Sequence, residues 1–237
     1  MLLCERYKKE VKQFVKVCHR LAQNLYVTGY GGNLAWRVED NLILITPTQM
    51  NKGDITRKRV VFVDNDGDIV EGSRRPTGEL PMYLKFFRER PDIVSVVHCH
   101  PPHVCAMAIS QAKNYLMRPL YPECTTEIGP VPVVPYAQPL TEKLAAQFTP
   151  FLQKYNSFIM ENHGLVTMSR GDILWTVMNT EVLESTAQSI MLALMTGELK
   201  ELSKQDVIDL GQVMQQRDLP LFGAPGVNKS LEAMFYD

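Results

Sequence analysis

Histidines are the side chains in this sequence whose types and spacing most clearly allow chemistry. The chain has 5 histidines, and His98 and His100 stand two residues apart at the end of a β-branched run that begins at Ile93. Because side chains alternate along a strand, both imidazoles would lie on one face, with Cys99 on the other. Neutral imidazole is the commonest protein ligand for zinc, so this pair supplies half of a metal site.

A third histidine, His163, follows the apolar run Ser157–Met160 in an Asn-His-Gly sequence. Two neighbouring strands that end at one sheet edge could bring it to His98 and His100. Three protein ligands leave zinc one open coordination position, which is the catalytic arrangement. The spacing alone leaves two interpretations open, a metal site and a group of hydrogen-bonded core histidines. His103 could contact a metal-ligating side chain without binding the metal itself, or it could face a substrate.

Length and charge exclude several classes of protein. The 237 residues are enough for one large domain, and 45% hydrophobic with 22% charged residues is ordinary for a soluble protein. The formal net charge of -1 argues against a nucleic-acid partner, which usually requires a basic excess. No apolar run is long enough to span a membrane. A charged N-terminus and 5 scattered cysteines favour a cytoplasmic protein with reduced thiols.

Helical and strand patterns alternate along the chain, which predicts a single α/β domain over residues 1–237, with an irregular tail from about residue 217. The predicted strands are Leu34–Val38, Leu42–Thr46, Val60–Val63, Ile69–Val70, Ile93–His98, Val131–Val134 and Ser157–Met160. The predicted helices are Glu5–Val27, Glu79–Arg90, Thr141–Tyr155, Gly171–Met195 and Ser203–Gln216. The glycine-dense segment Gly29–Asn33 is compatible with an anion-binding nest of amides and with a plain tight turn.

Six short motifs follow one another along the chain. They are Gly31-Gly32-Asn33-Leu34, Ile45-Thr46-Pro47-Thr48, Pro76-Thr77-Gly78-Glu79, Val97-His98-Cys99-His100-Pro101, Pro135-Tyr136-Ala137 and Asn162-His163-Gly164-Leu165. In this order they resemble the class II aldolase/adducin family, in particular its sugar-phosphate aldolases of the L-fuculose-1-phosphate aldolase type. The resemblance runs from about Tyr7 to Met195. It implies a single α/β domain with a central, mainly antiparallel β-sheet flanked by helices.

The resemblance also implies roles for the residues that match. His98, His100 and His163 would hold one Zn2+ per subunit, and Glu79 would be the catalytic acid/base. The related 4-epimerases carry aspartate at the position of Glu79, so glutamate favours the aldolases. A zinc ion chelated by a ketose would stabilise an enediolate as a Lewis acid, while the carboxylate moves the proton on the adjacent carbon.

A phosphate cradle is the second site that the resemblance implies. Its matching positions are Gly32, Asn33, Thr48, Gln49, Thr77 and Gly78. Two of them depart from the family, because Gln49 replaces the usual glycine and Gly78 replaces a second serine. These departures leave open a free hydroxy-keto acid, or an anion of another size, as the substrate. Lys52 and Arg75 are close enough in sequence to supply positive charge.

A tyrosine from the neighbouring subunit protonates the leaving aldehyde in the family's aldolases, and Tyr121 matches that position. A second tyrosine, in the family's C-terminal tail, corresponds to Phe222 here, with Tyr236 as a loose substitute. Such contributions between subunits imply a homotetramer with its active sites at the subunit interfaces.

The sequence therefore predicts a zinc-dependent aldolase, a carbon-carbon lyase. It would cleave a small ketose or ketose 1-phosphate into a dihydroxyacetone-like ketone and an aldehyde. The alternatives are a decarboxylase, dehydratase or 4-epimerase of the same family, acting on a sugar or sugar acid phosphate. A non-catalytic, adducin-like module is a further alternative. Every enzymatic interpretation has a small-molecule sugar as its partner, with no nucleic acid and no membrane.

Overall fold

A central β-sheet organises the computed structural model, which describes residues 2–236 (for 112 and 113, the backbone alone). Its strands are β1 (Asn33–Glu39), β2 (Leu42–Ile45), β3 (Val61–Val63), β4 (Ile69–Glu71), β5 (Ser95–Cys99), β6 (Val133–Val134), β7 (Ser157–Met160) and β8 (Gly164–Ser169). They are ordered β4-β3-β2-β1-β5-β8-β7-β6. Neighbouring strands are antiparallel except for β6 and β7, which are parallel. The predicted mainly antiparallel sheet is thus confirmed.

Helices cover both faces of this sheet. Their bounds are α1 (Leu3–Arg6), α2 (Lys8–Gln23), α3 (Leu80–Glu89), α4 (Pro102–Ala108), α5 (Pro122–Glu127), α6 (Glu142–Gln147), α7 (Ile173–Leu194), α8 (Lys204–Gln216) and α9 (Leu231–Tyr236). One apolar core lies between the sheet and α2, α4, α5 and α7, and a second lies between the sheet and α3 and α6. Within the described chain, no helix is long and apolar enough to cross a membrane.

The strand β5 shows how the two cores place the first histidine. Val97 and Cys99 belong to the core under α2 and α7, and Val96 belongs to the core under α3. His98 therefore points to the α3 side, and Cys99 points away from it, as the period of two predicts.

Several predicted boundaries differ from the structure. The helix predicted to begin at Glu5 ends at Gln23, because the chain turns through Leu25, whose φ is +59°. The helix predicted over Thr141–Tyr155 has an α-helical part of only six residues, Glu142–Gln147. Pro150 disfavours a helical conformation for the residue before it and removes a helical N–H donor.

Besides α4 and α5, the local sequence pattern did not reveal the strand β8 near the predicted site or the helix α9 in the tail. The strand β8 has all six residues buried, so it lacks the alternation that reveals a half-exposed strand. The tail predicted to be irregular from about residue 217 contains α9, which packs on α8 through Leu231 and a small cluster with Val207, Met214 and Phe222. The tail predicted to be irregular therefore ends in a short helix.

Candidate metal centre

Three imidazoles meet at one end of the sheet. His98 lies in β5, and His100 follows the last residue of that strand. His163 lies in the turn that joins β7 to β8. The strand next to β5 is β8, not β7. The expectation that the β5 and β7 ends converge as direct neighbours was therefore wrong, although the hairpin turn still brings His163 to the same place.

The ligand atoms of these histidines have the spacing that one ion requires. One nitrogen from each of His98, His100 and His163 lies within 4.8 Å of the other two. The Nε2 atoms of His98 and His100 are 3.1 Å apart. Zn–N bonds of 2.0–2.1 Å in a tetrahedron would separate neighbouring nitrogens by about 3.3 Å. The three residues fit a divalent metal with an open coordination position.

The ring of His98 has a fixed tautomer. Its Nδ1 donates a hydrogen bond of 2.9 Å to the backbone carbonyl of Leu165 in β8. Because a carbonyl oxygen can only accept, Nδ1 carries the proton, and Nε2 presents a lone pair to the centre. In His163 the Nδ1 atom is buried and has no hydrogen-bond partner among the described residues. That ring is therefore held by packing, without such a bond to set its tautomer.

Burial keeps the imidazoles in the form that binds metals. It lowers the pKa of His98 to about 3, with a further contribution from His163. It lowers the pKa of His100 to about 3 as well, helped by the two neighbouring rings. Burial also lowers the pKa of His163. At neutral pH all three rings are neutral, which is the state that offers lone pairs to an ion.

The glycine-dense turn packs directly against these rings. A Cβ atom on Gly31 would lie 2.8 Å from His100 Nδ1. A Cβ atom on Gly32, which has a φ of +65°, would lie 2.4 Å from Val27 and 3.0 Å from the carbonyl of His98. Only glycine allows the turn to approach this closely. The turn thus supports the metal centre, in addition to the cradle position predicted for Gly32.

A carboxylate faces the three rings. Glu79 precedes α3 and is 4% exposed. Its Oε2 lies 3.5 Å from His98 Nε2, and its Oε1 lies 3.6 Å from His163 Nε2. The residue predicted to be the acid/base is therefore beside the candidate metal ligands, where a carboxylate can exchange a proton with a bound molecule.

Asn33, predicted to be a cradle residue, makes contacts that orient Glu79. Its Nδ2 donates a hydrogen bond of 2.9 Å to Glu79 Oε2. The hydroxyl of Tyr83 lies 2.7 Å from both the Oδ1 and the backbone oxygen of Asn33. Since this hydroxyl can donate to Oδ1, it favours the amide orientation that turns Nδ2 towards the carboxylate. The three buried side chains form one hydrogen-bonded series.

The two threonine segments run side by side next to this series. Thr77 N donates to Thr46 O at 3.0 Å, and Thr48 N donates to Arg75 O at 3.0 Å. The Oγ1 of Thr77 accepts a hydrogen bond of 3.3 Å from the backbone N–H of Glu79. The predicted cradle residues Thr48 and Thr77 are therefore brought together, and Thr77 also begins the turn that carries the acid/base.

The two departures from the family pattern have local structural consequences. Gln49 has a φ of +52°, so its backbone keeps the left-handed conformation that glycine would adopt without strain. A Cβ atom on Gly78 would lie 3.0 Å from Leu140 Cδ2. Leu140 thus occupies the space beside residue 78 into which a serine side chain would project.

Other predicted residues are not joined to the histidines by any contact of the described chain. Tyr121 precedes α5 and is 47% exposed. Phe222 is buried in the tail cluster, and the hydroxyl of Tyr236 donates to Leu202 O at 3.3 Å. His103 is held by Glu184 of α7, whose Oε1 lies 2.8 Å from its Nδ1. His103 therefore supports the start of α4.

Sequence reasoning missed Tyr83 and Glu184, which hold predicted residues in place. Tyr83 lies four residues after Glu79, a spacing that puts two side chains on one side of a helix and could have revealed it. Glu184 accepts hydrogen bonds from the backbone N–H groups of His103 and Val104. No local signal links it to them, because it lies about 80 residues further along the chain.

Comparison with known proteins agrees with this geometry. The model of a family described as the class II aldolase and adducin N-terminal domain matches residues 12–191. An L-fuculose phosphate aldolase of Methanococcus maripaludis is 34% identical over 179 residues, which are 76% of this chain and 94% of that protein. A 3-oxo-tetronate 4-phosphate decarboxylase of Haemophilus influenzae is 29% identical over 187 residues, 78% of this chain and 88% of that protein.

A solved structure extends the likeness to the fold. YgbL of Klebsiella pneumoniae, whose activity is left open among aldolase, epimerase and decarboxylase, superposes with a TM-score of 0.79 and 28% identity. The superposition covers 86% of this chain and 98% of that one.

Proposed function

Because the chain belongs to the class II aldolase and adducin family, we propose that it is a divalent-metal-dependent carbon-carbon lyase acting on a small sugar phosphate, with zinc as its ion. The observation that carries the proposal is the position of Glu79, whose carboxylate oxygens face two of three convergent imidazoles at 3.5 and 3.6 Å. A non-catalytic module would have no use for this arrangement.

His98, His100 and His163 would hold the ion, one per subunit. When bound, a divalent metal supplies Lewis acidity that stabilises negative charge developing on a substrate oxygen. The chain's own contribution is to keep the three rings neutral by burial and to keep the ring of His98 oriented through Leu165. Gly31 and Gly32 let the turn press against these rings, which excludes water from that side.

Glu79 is the group that moves a proton at carbon. Breaking the carbon-carbon bond of a ketose leaves an enediolate that needs a proton at the reacting carbon, and the reverse reaction removes that proton. Asn33 holds Glu79 Oε2 by a hydrogen bond of 2.9 Å, so the carboxylate is already oriented when the substrate arrives. Gly32, Asn33, Thr48, Gln49, Thr77 and Gly78 would surround the substrate's distal group.

A decarboxylase is the second candidate. The 29% identity to a 3-oxo-tetronate 4-phosphate decarboxylase covers 88% of that protein, and Gln49 and Gly78 alter the cradle expected of the aldolases. Loss of carbon dioxide from a 2-hydroxy-3-oxo acid also leaves an enediolate, which needs a proton at the carbon that held the carboxylate, so the same ion and the same Glu79 would serve. The two reactions differ in what leaves, which is an aldehyde in one and carbon dioxide in the other.

The exposed Tyr121 is proposed to act on the leaving aldehyde from a neighbouring subunit. This role goes with a homotetramer that has its active sites between subunits. The proposed location of the enzyme is the cytoplasm. Within one chain, no contact of the described residues brings Tyr121 to the histidines, so a role in the reaction would depend on such an assembly.

The test begins with metal content. We expect about one divalent ion per chain in the purified protein and its loss in His98→Ala. His19→Ala is the matched control, because His19 bonds to Ile55 O, away from the centre. A screen of ketose 1-phosphates and 3-oxo sugar acid phosphates, with and without phosphate, then separates aldehyde release from carbon dioxide release. Glu79→Gln should retain the metal and lower kcat by about 10²- to 10⁴-fold. Retention of the metal by His98→Ala, or of kcat by Glu79→Gln, would overturn the proposal.

A further inference from the structure

We propose that Glu184 is a positioning residue for the candidate metal centre. Its carboxylate, which lies on α7, fixes the start of α4 and through it holds the ring of His100 in place for the ion. This inference rests on the proposed function, because it assumes that His98, His100 and His163 share one divalent metal.

His100 is the candidate ligand that the sheet constrains least. The pairing of β5 with β1 ends at His98, and its pairing with β8 ends at Cys99. His100 lies beyond both ladders, and its backbone N–H donates to the carbonyl of Tyr26 at 2.7 Å. Because no ladder continues on its C-terminal side, the position of His100 depends on what holds the residues that follow it.

The helix α4 follows His100 and receives no side-chain cap from its own N-cap residue, Pro101. The first N–H groups of a helix need such an acceptor, and Glu184 supplies it from α7. Its Oε1 accepts from the backbone N–H of His103 at 3.0 Å, and its Oε2 accepts from that of Val104 at 3.0 Å. Oε1 also lies 2.8 Å from Nδ1 of His103. One carboxylate therefore holds the whole first turn of α4.

The carboxylate of Glu184 is a fixed anchor. The residue is 6% exposed and lies within the 22-residue helix α7, whose Leu183 and Ala187 belong to the core under the sheet. A buried carboxylate is costly unless hydrogen bonds compensate it. Among the described hydrogen bonds, those to this carboxylate all come from His103 and Val104. Glu184 is thus committed to the segment next to the metal centre.

Two prolines make the link between this anchor and His100 stiff. Pro101 has a φ of −64° and a ψ of 133°, and Pro102 follows it directly. Each proline ring fixes its own φ, and each residue before a proline is confined to extended conformations. A displacement of His103 is therefore passed on to the backbone of His100, since little of it can be absorbed between them.

The experiment measures the dissociation constant of Zn2+ at neutral pH by competition with a chromophoric chelator. Glu184→Ala removes the carboxylate, and we expect Zn2+ to bind about 10- to 100-fold more weakly. Glu181→Ala is the matched control, because it makes the same change one turn earlier on α7, where the carboxylate accepts from Arg20 and Asn24. This control should stay within about twofold of wild type. Equal dissociation constants in Glu184→Ala and wild type, or equal losses in both variants, would overturn the inference.

A double-mutant cycle separates positioning through the proline link from a general loosening of the fold. Pro102→Gly, at an exposed residue, frees the backbone between His103 and His100. The loss caused by Glu184→Ala should therefore be at least about threefold smaller in the Pro102→Gly background. A loss of the same size in both backgrounds means that the effect does not pass along this link, and the inference is then wrong.

A second variant keeps the test decisive if Glu184→Ala does not fold. Glu184→Asp retains the charge but is one methylene group shorter, so it cannot keep all the bonds to His103 and Val104. We expect Zn2+ to bind it at least about threefold more weakly than wild type. An unchanged dissociation constant in Glu184→Asp contradicts the inference.

These measurements need no turnover. A wild-type chain that binds no divalent ion would overturn the proposed function and this inference with it. Zn2+ binding to wild type that Glu184→Ala leaves intact overturns the inference alone, so the two failures are distinguishable.

Discussion

At the end of the sheet opposite the histidines, Arg90 is fully buried, and each nitrogen of its guanidinium is hydrogen bonded. Lys52, at the histidine end, is also buried, but its hydrogen bonds within the described chain go to the backbone oxygens of Tyr30 and Met50. Arg90 Nε and Nη2 each donate to Asp92 at 2.8 Å, and Nη1 donates to Leu152 O at 2.8 Å. Asn156 accepts a further bond from Nη2 at 3.0 Å.

The partners of Arg90 bind one another and the tail. Arg170 donates to Asp92 at 3.0 Å and to the backbone oxygen of Gly223 at 2.8 Å. Burial alone would raise the pKa of Asp92, but hydrogen bonds from Arg90 and Arg170 hold it below its ordinary value. A buried charge with a complete set of partners belongs to the stable frame of the fold. Lys52 differs in having neutral carbonyls as its hydrogen-bond partners in the described chain, while burial lowers its pKa against the opposing effect of the charge of Glu79.

Replacing Arg90 and Lys52 in turn should change the free energy of unfolding by clearly different amounts. Arg90→Met should lower the free energy of unfolding by about 3–5 kcal/mol, because Asp92 and three backbone or amide oxygens lose their donor. Lys52→Met should cost only about 1–2 kcal/mol, because it removes two hydrogen bonds to neutral carbonyls and leaves no carboxylate that has lost a hydrogen-bonded ion-pair partner. Urea denaturation followed by circular dichroism measures both. Equal costs would remove the distinction between the two ends.

In the metal-free protein, low pH should also distinguish the histidine end of the sheet from the end that holds Arg90 and Asp92. The folded-state pKa values of His98 and His100 are about 3, below the ordinary 6.5, so the unfolded chain binds more protons between these values. Stability is then fully present above about pH 6.5 and falls as the pH drops towards 3. Hydrogen bonds from Arg90 and Arg170 hold the pKa of Asp92 below its ordinary value, so Asp92 takes up its proton at lower pH in the folded chain than in the unfolded chain.

Chemical denaturation at a series of pH values should therefore show a shallower decline in His98→Gln, which has one titrating ring fewer. The decline in Asp92→Asn should keep the wild-type slope above about pH 5, where Asp92 is ionised in both states, although its absolute stability is lower. A wild-type slope in His98→Gln would show that these rings do not cause the acid sensitivity.

Removing the hydroxyl of Tyr83 should have a smaller effect, on kcat alone. Tyr83→Phe removes the donor that holds the Asn33 amide towards Glu79, so we expect kcat to fall about 3- to 10-fold with unchanged metal content, as the loss of one net hydrogen bond implies. Tyr7→Phe is the matched control, because the Tyr7 hydroxyl is buried and has no partner among the described residues. A kcat of Tyr83→Phe equal to that of Tyr7→Phe would show that the series does not orient Glu79.

The local sequence pattern predicted many of the helices and strands, and the elements that it missed have identifiable physical causes. The strands β1, β2 and β5 were predicted close to their observed bounds because they are short runs rich in apolar and β-branched residues, and the long helix α7 because Asp172 caps its start. The helices α4 and α5 were missed because each is short and begins with proline.

The amino-acid sequence alone shows which residue types are available as metal ligands and which of them lie on one face of a strand or helix. The two-residue spacing puts His98 and His100 on one side of β5, and the six ordered motifs establish the family. The tertiary structure was needed to show that His163 arrives from a hairpin turn, that Asn33 and Tyr83 hold Glu79, and that Lys52 is buried against the carbonyls of Tyr30 and Met50. These outcomes depend on contacts between residues about 20 to 70 positions apart, and the periodicity of a single element carries no information about such distant partners.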